Sequence, residues 1–223
     1  MIEIPIGPNV STAWFLGGLL ISWHGFFSFI AVGLAVVLIG RWAPLKGIDP
    51  DVIYSTAVWV IIGGIVGARF VHVIDFWGYY SNNLEQVLFI WNGGIGLWGG
   101  ILGGFSGGAV YTIVTRQPLG VIADMAAPAV LFAQAIGRVG DIINGEHCAR
   151  ATDFFLGFAW THVDSAARSC VSGWHSSVQP VILYEILWTM AVLSLLWYLK
   201  GRLMPDGMSF ALYLALYSLG RFV

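Results

Sequence analysis

The sequence predicts an all-α fold, a polytopic bundle of transmembrane helices, and its composition is the first reason. Hydrophobic residues make up 58% of the 223 residues and charged residues only 10%, whereas ordinary globular chains have about 45–50% and about 25%. The 29 glycines and 11 tryptophans suit close helix packing and aromatic belts at bilayer interfaces. A formal net charge of −2 gives no basic surface for nucleic acid, and the high hydrophobicity excludes a disordered chain.

Six apolar stretches approach the roughly 20 residues that a helix needs to cross a bilayer. They lie at about residues 23–39, 52–73, 94–115, 119–138, 180–199 and 208–223. The apolar segment before them, 12–22, is expected to lie at the interface. The sixth stretch reaches the last residue without a stop signal, which favours a truncated sequence over a chain that ends there. We expect residues 1–223 to form a single transmembrane domain.

Basic residues indicate the orientation of the helices. With regular alternation, one side of the membrane receives all the basic residues of the short loops, namely Arg41, Lys46, Arg116, Lys200 and Arg202. The positive-inside rule assigns that side to the cytoplasm. The outer side then receives the connection at 75–91 and a long loop at roughly 142–179.

Both cysteines, Cys148 and Cys170, fall in this outer loop. A disulfide between them would close a loop of about 23 residues and contribute about 3 kcal/mol if unstrained. Two free thiols in a reducing environment are the alternative, and the sequence leaves both open. The His and Cys spacing fits no zinc site.

Arg138 is the strongest candidate for chemistry, because an ionisable group inside a membrane costs about 2.5–3.5 kcal/mol. Arg138, Asp141 and Asn144 would share one face if the helix continued past the glycine at position 140. The planar guanidinium group matches phosphate oxygens bidentately. The alternative is an ion pair of Arg138 with Asp141 or Glu146 that only pins the end of the helix.

Two further arginines lie in or at the ends of predicted spans. Arginines that converge at the outer end of a bundle would form an anion site suited to a lipid phosphate, and Arg221 is a candidate for it. Arg69 is a candidate as well, but the favoured interpretation is that it snorkels to the interface, where it would be solvated with Asp75.

Glycine-rich runs mark the second and third spans. They contain Gly63, Gly64 and Gly67 in one span, and Gly99, Gly100, Gly103, Gly104, Gly107 and Gly108 in the other. Small residues on shared faces predict close helix packing in a bilayer. Room for a lipid headgroup or acyl chain is the second interpretation.

Two more ionisable residues lie near the predicted ends of spans. His24, at the start of the first span, could act as a general base near neutral pH, or could equally donate to a backbone carbonyl. Tyr184 and Glu185 lie early in the fifth span. Glu185 is expected either to pair with an arginine at the site or to serve as a structural partner.

One segment resembles a known signature. Residues 137–146 read GRVGDIINGE and resemble the motif of bacterial prolipoprotein diacylglyceryl transferases, whose usual form is G-R-x-G-N-F-I-N-G-E. Weaker matches follow the family's order over most of the chain, at residues 67–69, 91–94, 124–128, 179–185 and 220–222.

The resemblance implies a seven-span enzyme of the bacterial cytoplasmic (inner) membrane with its active site toward the outer face. With six spans in this sequence, it implies that a seventh is missing at the C-terminus. Such an enzyme transfers the diacylglyceryl group of phosphatidylglycerol to the lipobox cysteine thiol of prolipoprotein signal peptides. It releases glycerol 1-phosphate and uses no metal or other cofactor.

The resemblance also implies which residues form the site. The arginines that are essential in the family correspond to Arg138 and Arg221, and two other signature residues correspond to Asn144 and Glu146. We expect a catalytic set of Arg138, Arg221, His24 and Glu146. We expect a substrate-binding set of Arg138, Asn144, Asp141, Gly99, Tyr184 and Glu185.

The sequence departs from the family's pattern at three positions of interest. Asp141 replaces the first asparagine of the signature, and its negative charge close to Arg138 would weaken phosphate binding. Trp98 stands where some members carry a histidine proposed as the base. His24 stands where the family usually has a tyrosine, and we hypothesise that His24 takes over as general base.

Two other classes of function are alternatives. A catalytically degenerate family member could serve as a lipid-binding structural subunit of a membrane complex, although such a scaffold has no need for costly intramembrane charges. A small transporter would predict an inverted repeat, and the sequence contains no convincing one.

Overall fold

The computed structural model describes residues 1–7, 9–10, 21–90, 93–145, 148–165, 167 and 177–221. Within these ranges the chain is mainly helical, which confirms the all-α prediction. The α-helices are α1 Trp23–Trp42, α2 Pro50–Asp75, α3 Trp77–Tyr80, α4 Leu97–Val114, α5 Leu119–Asn144, α6 Val181–Tyr198 and α7 Met208–Gly220. Four strands of two or three residues were not predicted, namely β1 Ile2–Ile4, β2 Asn9–Val10, β3 Ile21–Ser22 and β4 Phe158–Trp160.

Five helices among the described residues are long and apolar enough to cross a membrane. They are α1 with the 3-10 turn that follows it, α2, α4, α5 and α6, and their lengths are between 18 and 26 residues. Large apolar side chains such as Phe29 and Phe70 point outward, with exposed fractions of 80% and 64%, as expected of surfaces that face lipid. The chain is therefore a multi-pass membrane protein. The sixth predicted span forms the shorter apolar helix α7, of 13 residues.

The chain divides into two compact units. The first unit comprises Met1–Leu38 with Asp124–Val223, and the second comprises Ile39–Ala123. The expectation of a single transmembrane domain over residues 1–223 stays a prediction.

In the second unit, α2 and α4 pack through their glycines. A methyl group added at Gly67 would lie 2.9 Å from the Cα atom of Gly103, and one added at Gly107 would lie 3.3 Å from the Cα atom of Gly63. Only residues without a Cβ atom allow the two backbones to approach this closely. The prediction of close helix packing is confirmed.

Arg69, also in the second unit, is a buried residue with an exposed fraction of 7%. Its Nε atom donates to Val87 O at 2.8 Å, and one terminal nitrogen donates to Gly93 O at 2.7 Å and Gly94 O at 2.9 Å. The other terminal nitrogen donates to Gln86 O. The interpretation of Arg69 as a solvated interfacial residue is therefore wrong. The side chain satisfies backbone carbonyls of the connection between α3 and α4 and ties that connection to α2.

In the first unit, α5 is longer than expected. It passes through Pro128 and continues to Asn144 rather than ending at position 138, and Gly145 follows with a φ of 67°. The core beside it contains Leu131 and Ala127, both fully buried, packed with side chains of α6 and α7. This extension places Arg138, Asp141 and Asn144 on one continuous helix.

The short strands hold the end of α5. β1 pairs in parallel with β4, in the register Ile2 to Phe158 and Ile4 to Trp160. The indole nitrogen of Trp160 donates to Ile142 O in the last turns of α5 at 2.7 Å. The N-terminal segment and the long loop are thereby joined to the helix that carries the signature.

The start of α7 is capped by a side chain from α5. Asp124 Oδ2 accepts from Gly207 N at 2.9 Å, and Oδ1 accepts from Phe210 N at 3.0 Å. A carboxylate at a helix N-terminus satisfies two N–H groups that lack an intrahelical partner and complements the helix dipole.

Replacing Asp124 with alanine is expected to destabilise the protein by about 1–2 kcal/mol, the usual cost of losing a helix cap. The melting temperature in mild detergent measures this effect. Asp153→Ala, in an exposed loop, is the control and should change the stability by less than about 0.5 kcal/mol. Equal melting temperatures for the two variants would show that the cap is not significant.

Candidate active site

Five ionisable side chains form a continuous network in the first unit, here called the ion network. Its members are His24 on α1, Asp141 and Arg138 on α5, Glu185 on α6, and Arg221 immediately after α7. Acidic groups alternate with basic groups along it. Three helices and the residue that follows α7 therefore contribute to one electrostatic unit.

Arg138 is at the centre of the ion network. Its NH1 atom donates to Asp141 Oδ2 at 2.8 Å, across one turn of α5, and its Nε atom lies 2.8 Å from Glu185 Oε2. The side chain of Asp141 is only 6% exposed. Ion pairs that are shielded from water are stronger than surface pairs. The Arg138–Asp141 pair, which the sequence left open, is thus present.

Glu185 joins the two arginines. One carboxylate oxygen contacts Arg138, and the other accepts from Arg221 NH1. The expectation that Glu185 pairs with an arginine is confirmed, and it pairs with both. The two guanidinium groups are therefore held on either side of a single carboxylate, although Arg138 and Arg221 are far apart in the sequence.

The two arginines line an open cleft together with Gln134, Thr189 and Tyr217. Each guanidinium has five N–H donors, and the described ion pairs of Arg138 use its Nε and NH1 atoms. The remaining donors suit an oxyanion such as a phosphate group.

His24 lies at one end of the ion network, opposite Arg221. Its Nδ1 atom is hydrogen-bonded to Asp141 Oδ1, so its partner is a carboxylate and not the backbone carbonyl of the alternative. The His24 side chain is 53% exposed. The ring is therefore anchored on one side and accessible on the other.

The other expected site residues lie in several places. Asn144 is buried at the end of α5, and Tyr184 is 46% exposed on α6. Gly99 lies in the contact between α2 and α4, where a Cβ atom would meet Val71 at 2.8 Å. Their roles in substrate binding stay predictions, and Glu146 lies outside the described residues.

The predicted disulfide is only partly covered by the structure. Cys148 is not a free thiol, whereas Cys170 lies outside the described residues. The pairing of these two cysteines stays a prediction.

Sequence analysis missed four of the cleft residues, Gln134, Trp188, Thr189 and Tyr217. One signal was present for Gln134, because it precedes Arg138 by four residues and therefore lies on the same face of α5. For Thr189 and Tyr217, both on apolar helices, the sequence offers no comparable signal.

Comparison with known proteins gives a consistent result. Residues 11–223 match the family described as prolipoprotein diacylglyceryl transferase. A relative from Thermosynechococcus vestitus is 35% identical over 210 residues, which cover 93% of this chain and 77% of the relative. One from Pediococcus pentosaceus is 33% identical over 234 residues, covering 99% and 80%. Both relatives are named phosphatidylglycerol–prolipoprotein diacylglyceryl transferase.

Proposed function

Since the chain belongs to the prolipoprotein diacylglyceryl transferase family, we propose that it transfers the diacylglyceryl group of phosphatidylglycerol to prolipoproteins. The acceptor is the thiol of the lipobox cysteine in the signal peptide, and glycerol 1-phosphate is released. The observation that carries this proposal is the convergence of Arg138 and Arg221 on one cleft through Glu185. We place the enzyme in the bacterial cytoplasmic (inner) membrane, with the cleft toward the outer face.

The reaction creates negative charge on the phosphate group, where arginine side chains can stabilise it. The thiolate attacks the diacylglycerol carbon that is bonded to the phosphodiester oxygen, so a C–S bond forms and that C–O bond breaks. The electron pair of that bond goes to the phosphate, which changes from a singly charged diester into a monoester with a second ionisable oxygen. Preorganised guanidinium groups stabilise this charge as it develops.

In this proposal Glu185 positions the guanidinium groups of Arg138 and Arg221 before the lipid binds. Before substrate binds, the acids Asp141 and Glu185 balance the two guanidinium charges, so that neither arginine is left without an opposite charge. The same carboxylate fixes the spacing of Arg138 and Arg221. A phosphate group in the cleft then binds N–H donors that are already oriented, so reorganising these donors costs little free energy.

The thiol needs a base, because a free cysteine has a pKa near 8.5 and is mostly protonated at neutral pH. We assign this role to His24, which is exposed on the side that does not face Asp141. Trp98 cannot accept a proton, so the position used by some family members is not available for this role.

Replacing His24 with phenylalanine is expected to lower kcat by about 100-fold or more, because positioned general bases contribute about 10²–10⁴-fold. Steady-state transfer to a lipobox peptide measures the effect. His162→Phe, in the long loop, is the matched control and should stay within about twofold of the wild type. A His24→Phe enzyme with normal turnover would exclude His24 as the base.

The function itself is tested with labelled phosphatidylglycerol, a lipobox peptide and the purified chain in detergent. We expect label on the cysteine peptide, none on the same peptide with serine at that position, and little transfer from phosphatidylethanolamine. A folded protein that binds phosphatidylglycerol but transfers nothing would support the degenerate, lipid-binding subunit instead.

A further inference from the structure

Asp141 is shared between the proposed base and the proposed phosphate ligand. Its Oδ1 atom is hydrogen-bonded to His24 Nδ1, and its Oδ2 atom accepts from Arg138 NH1 at 2.8 Å. Both oxygens therefore already have partners, and the side chain is only 6% exposed. A buried carboxylate in this arrangement is poorly placed to contact substrate and well placed to orient its two neighbours.

Both residues of the His24–Asp141 hydrogen bond differ from the pattern that the resemblance implies. The family usually has tyrosine at position 24 and asparagine at position 141, and here the two replacements are in direct contact. The contact in this chain is between an imidazole and a carboxylate. Because neither replacement is isolated, each one changes the environment of the other.

We infer that His24 and Asp141 act as one coupled unit, in which Asp141 is the positioning residue for a His24 base. This inference rests on the proposed function. The hydrogen bond to Asp141 requires the proton of the neutral ring to be on Nδ1, so that Nε2 is the free acceptor on the exposed side. This is the tautomer that a general base needs.

Proton transfer to His24 accompanies the attack on the lipid. The thiol S–H bond breaks and the proton moves to His24 Nε2. The sulfur attacks the diacylglycerol carbon, and the C–O bond to the phosphate breaks. The imidazolium that forms is stabilised by the adjacent Asp141 carboxylate. The proton is later released to the phosphate monoester or to water, and this restores the neutral ring.

Asp141 also affects Arg138. A carboxylate on NH1 partly neutralises the guanidinium and so weakens its attraction for the lipid phosphate. The Asp141 carboxylate therefore favours proton transfer to His24 but weakens binding of the lipid phosphate in the ground state. Removing the charge of Asp141 should therefore lower kcat and also lower KM for phosphatidylglycerol, whereas a partial loss of structure lowers the apparent kcat and leaves KM unchanged.

The test compares His24→Tyr, Asp141→Asn and the double variant, which recreates the residues usual in the family. Each single variant is expected to lose about 100-fold in kcat, within the range of general base catalysis. The double variant is expected to match His24→Tyr alone, because Asp141 acts through His24 and contributes nothing to proton transfer once the base has been removed.

A second His–Asp pair in the same unit supplies a matched control. His162 Nδ1 lies 3.8 Å from Asp164 Oδ2, and the Asp164 side chain is 71% exposed. His162→Tyr, Asp164→Asn and their double variant should each keep the wild-type kcat and show no coupling. Activity lost equally in both series would assign the effect to folding and would overturn the inference.

The outcomes separate this inference from the proposed function. If the folded wild type transfers no diacylglyceryl group, the proposed function is contradicted. If the wild type is active, the variants test only the coupling of His24 with Asp141. Single variants with wild-type kcat, or a double variant that equals the product of the single effects, overturn the coupling. If the double variant does not fold, Asp141→Asn decides by itself: a lower kcat with a lower KM supports the inference, and an unchanged kcat or an unchanged or higher KM overturns it.

Discussion

Arg138→Ala is expected to lower diacylglyceryl transfer by about 10³-fold or more, within the range found for groups that stabilise developing charge on oxyanions and phosphates. The guanidinium group of Arg138 contacts two carboxylates and lines the cleft together with Arg221. The leaving phosphate gains negative charge in the transition state, so kcat should fall by more than KM rises. The assay with labelled phosphatidylglycerol and a lipobox peptide measures both constants.

Two further variants interpret this result. Arg138→Lys keeps the charge but loses the planar fork, so its activity should lie between that of the wild type and that of Arg138→Ala. Arg150→Ala removes an exposed arginine from the loop after α5 and should have wild-type activity. Because Arg138→Ala leaves two acids without their partner, its melting temperature and phosphatidylglycerol binding are measured as well. A folded Arg138→Ala enzyme with more than about a tenth of wild-type activity would contradict the role assigned here.

The ion network shows which parts of the site were accessible from sequence. Arg138 and Asp141 are one helical turn apart, so a periodic pattern is enough to predict that they lie on one face. The contact of His24 with Asp141 joins positions 117 residues apart, and the contact of Glu185 with Arg221 joins positions 36 apart. No local period describes such pairs. Sequence analysis therefore identified the members of the ion network individually but not their order.

Gly140 illustrates why the end of α5 was predicted too early. Glycine is a poor helix former, so a break near this position was a reasonable expectation. In the structure, a Cβ atom at position 140 would lie 2.7 Å from Trp23 O and 3.0 Å from Phe27 Cβ. The glycine permits α1 to approach α5 closely, and this approach brings His24 to Asp141. Helix propensity alone does not distinguish a packing glycine from a terminating one.

Arg69 was misinterpreted for a related reason. Hydropathy locates an arginine near the end of a span, and snorkelling is the usual consequence there. Its actual acceptors are main-chain carbonyls of residues 86–94, and every sequence has such carbonyls. Their positions depend on the path of the connection between α3 and α4, which side-chain patterns do not encode.

Gly103→Ala is expected to destabilise the second unit by about 2–3 kcal/mol, the upper part of the usual range for overpacking. The new Cβ atom would lie 2.9 Å from the Cα atom of Gly67 and even closer to the carbonyl oxygen of Gly63. Both neighbours are backbone atoms of α2, so relief requires the two helices to separate. The melting temperature in mild detergent should fall accordingly.

Gly100→Ala, on the same helix, is a matched control for this prediction. Its added Cβ atom would lie 3.6 Å from Ala68 Cβ and 3.8 Å from Gly64 O, which is ordinary van der Waals contact. The higher helix propensity of alanine, worth about 1 kcal/mol relative to glycine in soluble helices, should then leave this variant as stable as the wild type or more so. If both variants lose the same stability, the effect belongs to glycine content in general. A loss confined to Gly103→Ala would instead identify direct contact between the backbones of α2 and α4 as the feature that these glycines maintain.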